Sequence, residues 1–542
     1  MGRGRGHDVG RGGGQGGHGH CYHAAANVGK VGRSVRPFPR VTSPATILRI
    51  TRLLGPRRRR HRAAWMTSVF LIALAVRSLY AVDLAPALES QEQPGSRMMQ
   101  RYDEGAAAIL RGDGLLFVSG VDPSDTGLLS RPPGYSILLA AIYRLVGRGL
   151  FAAQLVQNAL NALVPVVVFL VADTLLGRRP AIGSGLLAAL LPHLAYYSAL
   201  LTPDVVCAIP VLVALVLLVP VARGRAVSLG RALAAGAALG LAVWLRPNLL
   251  LLGPTVAAAV AILVRPQARK WAPAAALTAG AVLAVAPITI RNLVLYRAFV
   301  PVSTNLGVVL WEGIGEASGN AWGTRTDDID VAAQEAEMYG DPRYGEWWAS
   351  PDGIRRDRDR VRRSLAVIAA HPAWFAGAAL RRAARMMDYA GADAPPVAAR
   401  AAVSHEALET LYEPGQGRSA THLWGAELLA RLRPRITSRD AVRIGRLLGV
   451  LRPGLRPLQM ALTVATLPLV LVGLAALLVV APRRALFTLV VPLYQVAFQS
   501  IVHFELRYVL PMHACLLVLA GVAPALIGGW IAESVGRRRR IA

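Results

Sequence analysis

Residues 461–480 read ALTVATLPLVLVGLAALLVV, an apolar run without a charged side chain. A run of this length matches the roughly 20 residues that an α-helix needs to cross the hydrocarbon core of a bilayer. Similar runs recur along the chain, which has 542 residues, is 54% hydrophobic and has a mean hydropathy of +0.42. These values exclude a soluble protein of this length and predict an all-α, polytopic membrane protein.

Basic loops between the apolar runs set the predicted topology. If each run crosses once and the N-terminus lies inside, Arg178, Arg179, Arg483 and Arg484 all fall in the cytoplasm, as the positive-inside rule requires. The segment 134–147 is too short to span and suits a helix lying in the outer interface. We therefore predict ten spans with both termini inside, at about 64–84, 151–176, 181–201, 204–222, 229–245, 247–264, 271–290, 457–481, 485–502 and 509–531.

This topology divides the chain into four parts. The first is a basic Gly/Arg/His tail that cannot bury a core and is predicted to be disordered. Because Met66 opens the first apolar run, the tail could also lie upstream of the true start. A cleaved signal peptide is the alternative to an uncleaved first span, but the many spans that follow favour the anchor. The parts are the tail (1–63), a membrane module (64–290) with a first outer loop (85–150), a large extracytoplasmic loop of mixed structure (291–456), and the last helices with a basic cytoplasmic tail (457–542).

The net charge and the cysteines exclude other classes. The net charge is +28, but the arginines cluster at the ends of apolar runs and in the tail, so orientation in a membrane explains them and nucleic acid is not an expected partner. The three cysteines form neither a disulfide framework nor a zinc motif. His18, His20, Cys21 and His23 in the tail could hold a metal, although disorder is the favoured interpretation.

Ionisable residues collect at the outer ends of the predicted spans, and such residues mark substrate paths by default. Five of them also have a purely structural explanation. Asp204, after Thr202 and Pro203, would suit the first turn of a helix, and Arg246 or Arg507 could reach towards the interface as snorkelling side chains. Asp103 and Glu104 could be solvated acids or the N-terminal acids of a short helix at 103–111. The set comprises Asp103, Glu104, Arg131, Asp204, Arg246, Glu505 and Arg507.

The order of these features resembles the GT-C membrane glycosyltransferases, in particular family-39-type proteins such as protein O-mannosyltransferases, aminoarabinose transferases and Rgt-type transferases. The resemblance spans roughly residues 64–531 and is weakest at 316–456. The segments that carry it are YDEGAAAILRGDG (102–114), SRPPGYSILLAAIYRLVG (130–147), NALNALVPVVVFLVADTLLG (158–177), LLPHLAYYSALLTPDV (190–205), PITIRNLVLYRAFVPVSTNLGVVLWEGIG (287–315) and ELRYVLPMHACLLVLAG (505–521).

The resemblance implies transfer of a sugar from a polyprenyl-phosphate-linked donor to an acceptor on the outer face of the cytoplasmic membrane, with inversion. Asp103 would be the catalytic carboxylate. Arg131, with Arg246 and Arg507, would bind the donor phosphate. Glu104, Asp204 and Glu505 are candidates for contacting substrate or a metal, and a divalent cation could assist. The acceptor could be a glycan, a lipid or a protein.

Two other functions remain open. A transporter or flippase of lipid-linked sugars would place its ionisable residues near the bilayer midplane, often within repeats. Here they gather at the outer face, and the sequence has no internal repeat. A polysaccharide polymerase or ligase would share the arginines and the lipid-linked donor, so only Asp103 in the first loop distinguishes it from the favoured function.

Overall fold

A computed structural model describes residues 61–89, 96–112, 124–264, 271–325, 328–389, 394–400, 436 and 438–528. Within these ranges the chain is built from helices, and the β-pairing there is an isolated bridge between Trp347 and Ser350. The predicted all-α polytopic fold is confirmed. The candidate metal ligands of the tail, His18, His20, Cys21 and His23, lie outside the described residues.

Every predicted span coincides with one or two helices of the structure. Five helical stretches are long and apolar enough to cross a membrane, at 62–85, 150–175, 271–296, 452–480 and 506–528, and the other predicted spans contain shorter helices. The count of ten crossings stays a prediction. The first eleven helices are α1 (Arg62–Glu89), α2 (Ser96–Arg111), α3 (Gly134–Val146), α4 (Leu150–Asn161), α5 (Leu163–Leu175), α6 (Arg178–Leu190), α7 (Pro192–Ala199), α8 (Ala208–Leu218), α9 (Leu229–Leu245), α10 (Leu252–Leu263) and α11 (Trp271–Tyr296).

The described part of the predicted large outer loop contains six helices, and three more follow it or overlap its end. A buried carboxylate, Glu335, stabilises this part by pairing with Arg356 at 2.7 Å, Arg360 at 2.5 Å and Arg363 at 3.1 Å. Three guanidinium groups around one acid compensate for the cost of removing it from water. These helices are α12 (Leu306–Ser318), α13 (Asp328–Tyr339), α14 (Arg343–Glu346), α15 (Gly353–Ala370), α16 (Pro372–Arg385), α17 (Ser438–Gly449), α18 (Arg452–Val480), α19 (Pro482–Gln499) and α20 (Leu510–Ala520).

Helices α9 and α11 cross at glycines. A Cβ atom at Gly236 would lie 1.9 Å from the carbonyl oxygen of Leu277, and one at Gly280 would lie 2.2 Å from that of Leu233. Both distances are far below van der Waals contact, so only glycine permits this crossing. Small residues serve the same purpose at membrane helix interfaces generally, because close backbone approach replaces the missing hydrophobic driving force.

A polar face on α4 supports a break between α7 and α8. Gln154 donates to the carbonyl of Ala199 at 2.7 Å, and Gln157 donates to those of Ser198 at 2.9 Å and Leu200 at 2.6 Å. These carbonyls lie where α7 ends, and an unsatisfied carbonyl at that depth would cost several kcal/mol. The amides therefore allow the chain to leave the helix at residues 200–207, where Asp204 lies.

Candidate active site

Helix α2 carries the two acids of the first outer loop and packs against α3. A Cβ atom at Gly105 would lie 2.6 Å from the hydroxyl of Ser136, so this glycine permits the close contact. The helix begins at Ser96, earlier than the predicted residue 103, and ends at Arg111 as predicted. Gly112 follows it with a left-handed φ of 92°. Asp103 and Glu104 thus lie within the helix rather than in its first turn, so the helix-dipole explanation for them does not apply.

The carboxylate of Asp103 is buried and bound by two side chains. Its Oδ1 accepts hydrogen bonds from the Tyr143 hydroxyl at 2.9 Å and from Arg148 Nε at 3.1 Å, and its Oδ2 accepts one from Arg148 Nη2. Burial raises the pKa of Asp103 to about 6, although Arg148 and Tyr143 act in the opposite direction. Because a carboxylate offers about four acceptor positions, these three hydrogen bonds leave one position on Oδ2 unused.

Glu104 faces different surroundings from its neighbour. Its side chain is 48% exposed and pairs with Arg101 at 3.2 Å. The guanidinium of Arg101 in turn lies 4.3 Å from the ring centre of Trp347 in the outer loop. Glu104 therefore pairs with an arginine that contacts Trp347. The pair is solvated, and a solvated ion pair contributes little stability.

The structure brings the three predicted phosphate-binding arginines together around two tyrosines. The guanidinium of Arg131 lies 5.2 Å from the ring centre of Tyr102, the residue before Asp103. Those of Arg246 and Arg507 each lie 5.3 Å from the ring centre of Tyr508. Arg246 is close enough to both other arginines, and to Tyr102, to interact with them electrostatically. We call Arg131, Arg246 and Arg507 the arginine cluster.

Two members of the arginine cluster have acidic partners. Arg246 pairs with Asp204, and Arg507 pairs with Glu505 at 2.5 Å. Arg131 has no acidic partner among the residues that the structure describes, and its buried Nε lacks a hydrogen-bond partner there. An uncompensated guanidinium is costly in a partly buried site, so the cluster is suited to receive an anion at Arg131.

Asp204 is fully buried in the break before α8, which begins at Ala208. The predicted helix start at Thr202–Asp204 is therefore wrong, and Thr202 does not act as its N-cap: its buried hydroxyl has no hydrogen-bond partner within the described residues. A turn precedes α8 instead, in which the Cys207 N–H donates to the Pro203 carbonyl at 3.0 Å. One carboxylate oxygen of Asp204 binds Arg246, while the other likewise lacks a partner.

Glu505 belongs to a second group of charged residues just after the C-terminal end of α19. His503 lies 3.5 Å from Glu505 and 3.3 Å from Glu316 on α12. Burial opposes charge on both residues. Arg507 and His503 nevertheless lower the pKa of Glu505 to about 2, and the acids around His503 raise its pKa to about 10. Both groups are therefore charged at neutral pH.

Three residues of the site were not predicted from the sequence: Arg148, Tyr143 and His503. Arg148 stands 45 residues from its partner Asp103, and only the packing of α2 on α3 reveals the pair. The signal present in the sequence was an arginine between two glycines directly after the short apolar helix. No group of three or more His, Cys, Asp and Glu side chains suited to a metal occurs in the described part of the chain, so the predicted divalent cation stays a prediction.

Comparison with known proteins supplies independent information. Residues 130–290 match the family described as dolichyl-phosphate-mannose-protein mannosyltransferase. The matched range contains Arg131, Arg148, Asp204 and Arg246, whereas Asp103 and Glu505 lie outside it. No curated protein matches the chain.

Two solved structures are similar over most of the chain. The archaeal oligosaccharyltransferase AglB from Archaeoglobus fulgidus, solved with an inhibitory peptide and a dolichol-phosphate, is 11% identical with a TM-score of 0.39 over 86% of this chain and 50% of its own. ArnT from Cupriavidus metallidurans, bound to undecaprenyl phosphate, is 15% identical with a TM-score of 0.33 over 83% of this chain and 77% of its own. The chain thus spans about half the length of the archaeal protein. The predicted resemblance to the family-39-type GT-C membrane glycosyltransferases is confirmed over residues 130–290, which carry the family match.

Proposed function

We propose that this protein transfers a sugar from a polyprenyl-phosphate-linked donor to an acceptor hydroxyl at the outer face of the cytoplasmic membrane, with inversion. The observation that carries the proposal is the arginine cluster, in which Arg131 lacks an acidic partner within the described residues. A guanidinium binds phosphate oxygens through two parallel hydrogen bonds and stays charged as the phosphate leaves. The family match over residues 130–290 supports the same chemistry.

An apolar groove beside the arginine cluster suits the lipid part of the donor. It has a volume of about 380 Å³ and lies between α9, α10 and α11, with Val243, Pro254 and Phe299 among its lining residues. Val243 is one turn of α9 away from Arg246. A lipid phosphate held at the cluster would therefore have an apolar surface within reach for the first part of its chain.

Asp103 is the proposed catalytic carboxylate. It would accept the proton of the acceptor hydroxyl while the hydroxyl oxygen attacks the anomeric carbon and the bond from that carbon to the phosphate oxygen breaks. Arg148 and Tyr143 hold the carboxylate in place, as positioning residues. The phosphate leaves as an anion stabilised by the arginine cluster, so no acid needs to protonate it.

A transport function is the second candidate, and no structural observation favours it. Transport of a lipid-linked sugar would also use an arginine cluster for the phosphate. It would not need a carboxylate to accept a proton from a hydroxyl, which is the role proposed for Asp103.

The experiment compares cell-envelope glycans and glycolipids with and without the gene, and then restores the gene as wild type or variant. We expect a sugar to be missing without the gene and restored by the wild type.

Arg131→Ala should lower transfer by about ten- to hundredfold, the value of one charged hydrogen-bonding group, and Arg131→Lys should retain part of it. Arg144→Ala, an exposed arginine on α3, is the matched control. Normal transfer by Arg131→Ala would overturn the phosphate assignment, and an unchanged envelope without the gene would overturn the proposed function.

A further inference from the structure

A second cluster of arginines lies at the opposite ends of the membrane helices from the candidate active site. The segment that contains α8 runs from Asp204, in the site, to Arg223 at its far end. Helix α18 runs from Arg452, which pairs with Asp83, to Val480, and α19 returns from Pro482 towards His503. At about 1.5 Å per residue, these helices separate Arg223, Arg483 and Arg484 from the site by most of a membrane thickness. We call these three residues the distal arginines.

The distal arginines line a cleft of about 280 Å³ between the end of the α8 segment and the turn that joins α18 to α19. Arg484 is half-buried and lies close enough to Arg223 to repel it. Helix α18 ends and α19 begins at this cleft, so their dipoles oppose each other and the local charge comes from the three arginines. The cleft is therefore strongly electropositive.

No acidic side chain of the described residues neutralises the distal arginines. Arg223 donates to the carbonyl of Thr174 at 2.6 Å, which holds it in position. The acid next to that threonine, Asp173, is already paired with Arg178 at 2.8 Å and with Arg62 at 3.1 Å. Like charges held together without a counter-ion favour an anion from outside the chain.

The walls of the cleft continue into an apolar surface. Leu478 and Val479, just before it on α18, are each 44% exposed, and so is Leu486, just after it on α19. A charged cleft at the ends of spanning helices, bordered by exposed apolar side chains, matches the shape of a phospholipid, with a phosphate above and acyl chains below. Basic pockets between membrane helices on the cytoplasmic side bind anionic headgroups in this way.

We propose that the distal arginines form a binding site for the phosphate group of an anionic phospholipid in the leaflet opposite the candidate active site. The site involves no catalytic residue and does not depend on the proposed function. Its effect on the protein is to stabilise the turn between α18 and α19 against the end of the α8 segment when such a lipid is bound.

The test measures thermal unfolding of the full chain in nanodiscs of phosphatidylcholine alone or with phosphatidylglycerol. We expect phosphatidylglycerol to raise the unfolding midpoint of the wild type. Arg223→Gln/Arg484→Gln should lose most of this shift, because each arginine removed weakens headgroup binding roughly fivefold. The control, Arg179→Gln/Arg231→Gln, removes two exposed arginines that the same topology places on that side of the membrane but that do not line the cleft, and should keep the shift.

The single variant Arg223→Gln serves if the double variant does not fold, because Arg223 is exposed. An equal loss of the shift in the control would show a general surface-charge effect and overturn the proposal. A further arm adds inorganic phosphate to the phosphatidylcholine sample. A shift there that requires Arg223 and Arg484 would identify free phosphate as the occupant and overturn the lipid.

Discussion

At Asp103 the fold holds a carboxylate out of water and against a guanidinium. The pairing with Arg148 uses both carboxylate oxygens, and Tyr143 adds a third hydrogen bond. A buried pair of this kind contributes little net stability, because desolvation offsets most of the attraction. Its value lies in orientation, since a base is useful only when it stands within hydrogen-bond reach of the proton that it accepts.

Substitution of the two adjacent acids separates their roles. Asp103→Asn should lower sugar transfer by about a hundred- to ten-thousand-fold, the usual contribution of a general base. Glu104→Gln should lower it less, because Glu104 is exposed and pairs only with Arg101 among the contacts seen. The measurement is transfer in isolated membranes, with protein level and donor binding as controls for folding. An inactive Glu104→Gln beside a normal Asp103→Asn would show that the wrong acid has been assigned, and activity in both would remove the first loop from the mechanism.

The pH dependence of transfer tests the positioning role of Arg148. Burial places the pKa of Asp103 at about 6, and a base must be unprotonated, so activity should rise as the pH increases through about 6. Arg148 lowers that pKa. Arg148→Gln should therefore move the rise to higher pH, by about 1–3 units for the loss of an adjacent opposite charge.

Arg148→Lys provides the control for this shift, because it restores the charge without the paired geometry. We expect it to return most of the pH profile but not all of the rate. A variant that loses activity equally at every pH would indicate a structural role alone for Arg148. The readout is the initial rate of transfer from about pH 5 to about pH 10, which covers the shifted rise.

At the scale of helices, the sequence predicted the positions of the helices well, but it did not predict features that depend on tertiary contacts. The predicted spans coincide with helices of the structure, and the three arginines predicted to bind the donor phosphate lie close together. Helix α8 begins four residues after the predicted Asp204, and Gln154 and Gln157 satisfy the carbonyls at the end of α7, which the chain leaves for a break. Such contacts join residues more than 40 positions apart, which local patterns do not report.

Contacts between distant residues also explain why Arg131 was named as a candidate site residue from the sequence and Arg148 was not. Both follow or precede the same short helix, and both are single arginines near glycine or proline. Only the packing of α2 on α3 turns Arg148 towards Asp103 and leaves Arg131 against Tyr102. A buried acid in the first loop needs a cationic partner, but the sequence contains several arginines nearby and does not show which one binds it.

The close crossing of α9 and α11 predicts how alanine substitutions of glycines on these helices change the stability of the protein. Gly280→Ala should destabilise the protein, because the added Cβ would meet the carbonyl oxygen of Leu233 at 2.2 Å and force the helices apart, at about 1–3 kcal/mol for an overpacked site. Gly230→Ala, on α9 with no atom within 4 Å of the new Cβ, should be neutral or stabilising by about 0.5–1 kcal/mol. Thermal unfolding in detergent measures both. Equal midpoints for the two variants would contradict the close crossing.

At the scale of the whole molecule, charge is divided between the two ends of the helices. The candidate active site lies at one end, where each acid of the site has a cationic partner and Arg131 is left over. The distal arginines lie at the other end, without acids of their own in the described chain. The positive-inside rule assigns the end with unneutralised loop arginines to the cytoplasm. This rule predicts that the candidate active site faces outward, where a sugar acceptor of the cell envelope would be found.

Labelling of introduced cysteines in intact cells tests this orientation. A cysteine at position 225, two residues after Arg223 in an exposed loop, should be protected from an impermeant thiol reagent, and one at position 400, also exposed, should react. The native cysteines Cys207 and Cys515 are buried and give little background, and Cys21 is replaced by serine. Both positions should react after the membrane is opened, which shows that protection at 225 comes from the bilayer and not from the fold. The reverse pattern would place residues 291–456 inside the cell. The arginine cluster could then meet only donors and acceptors of the cytoplasm, and the proposed transfer at the outer face would fail with it.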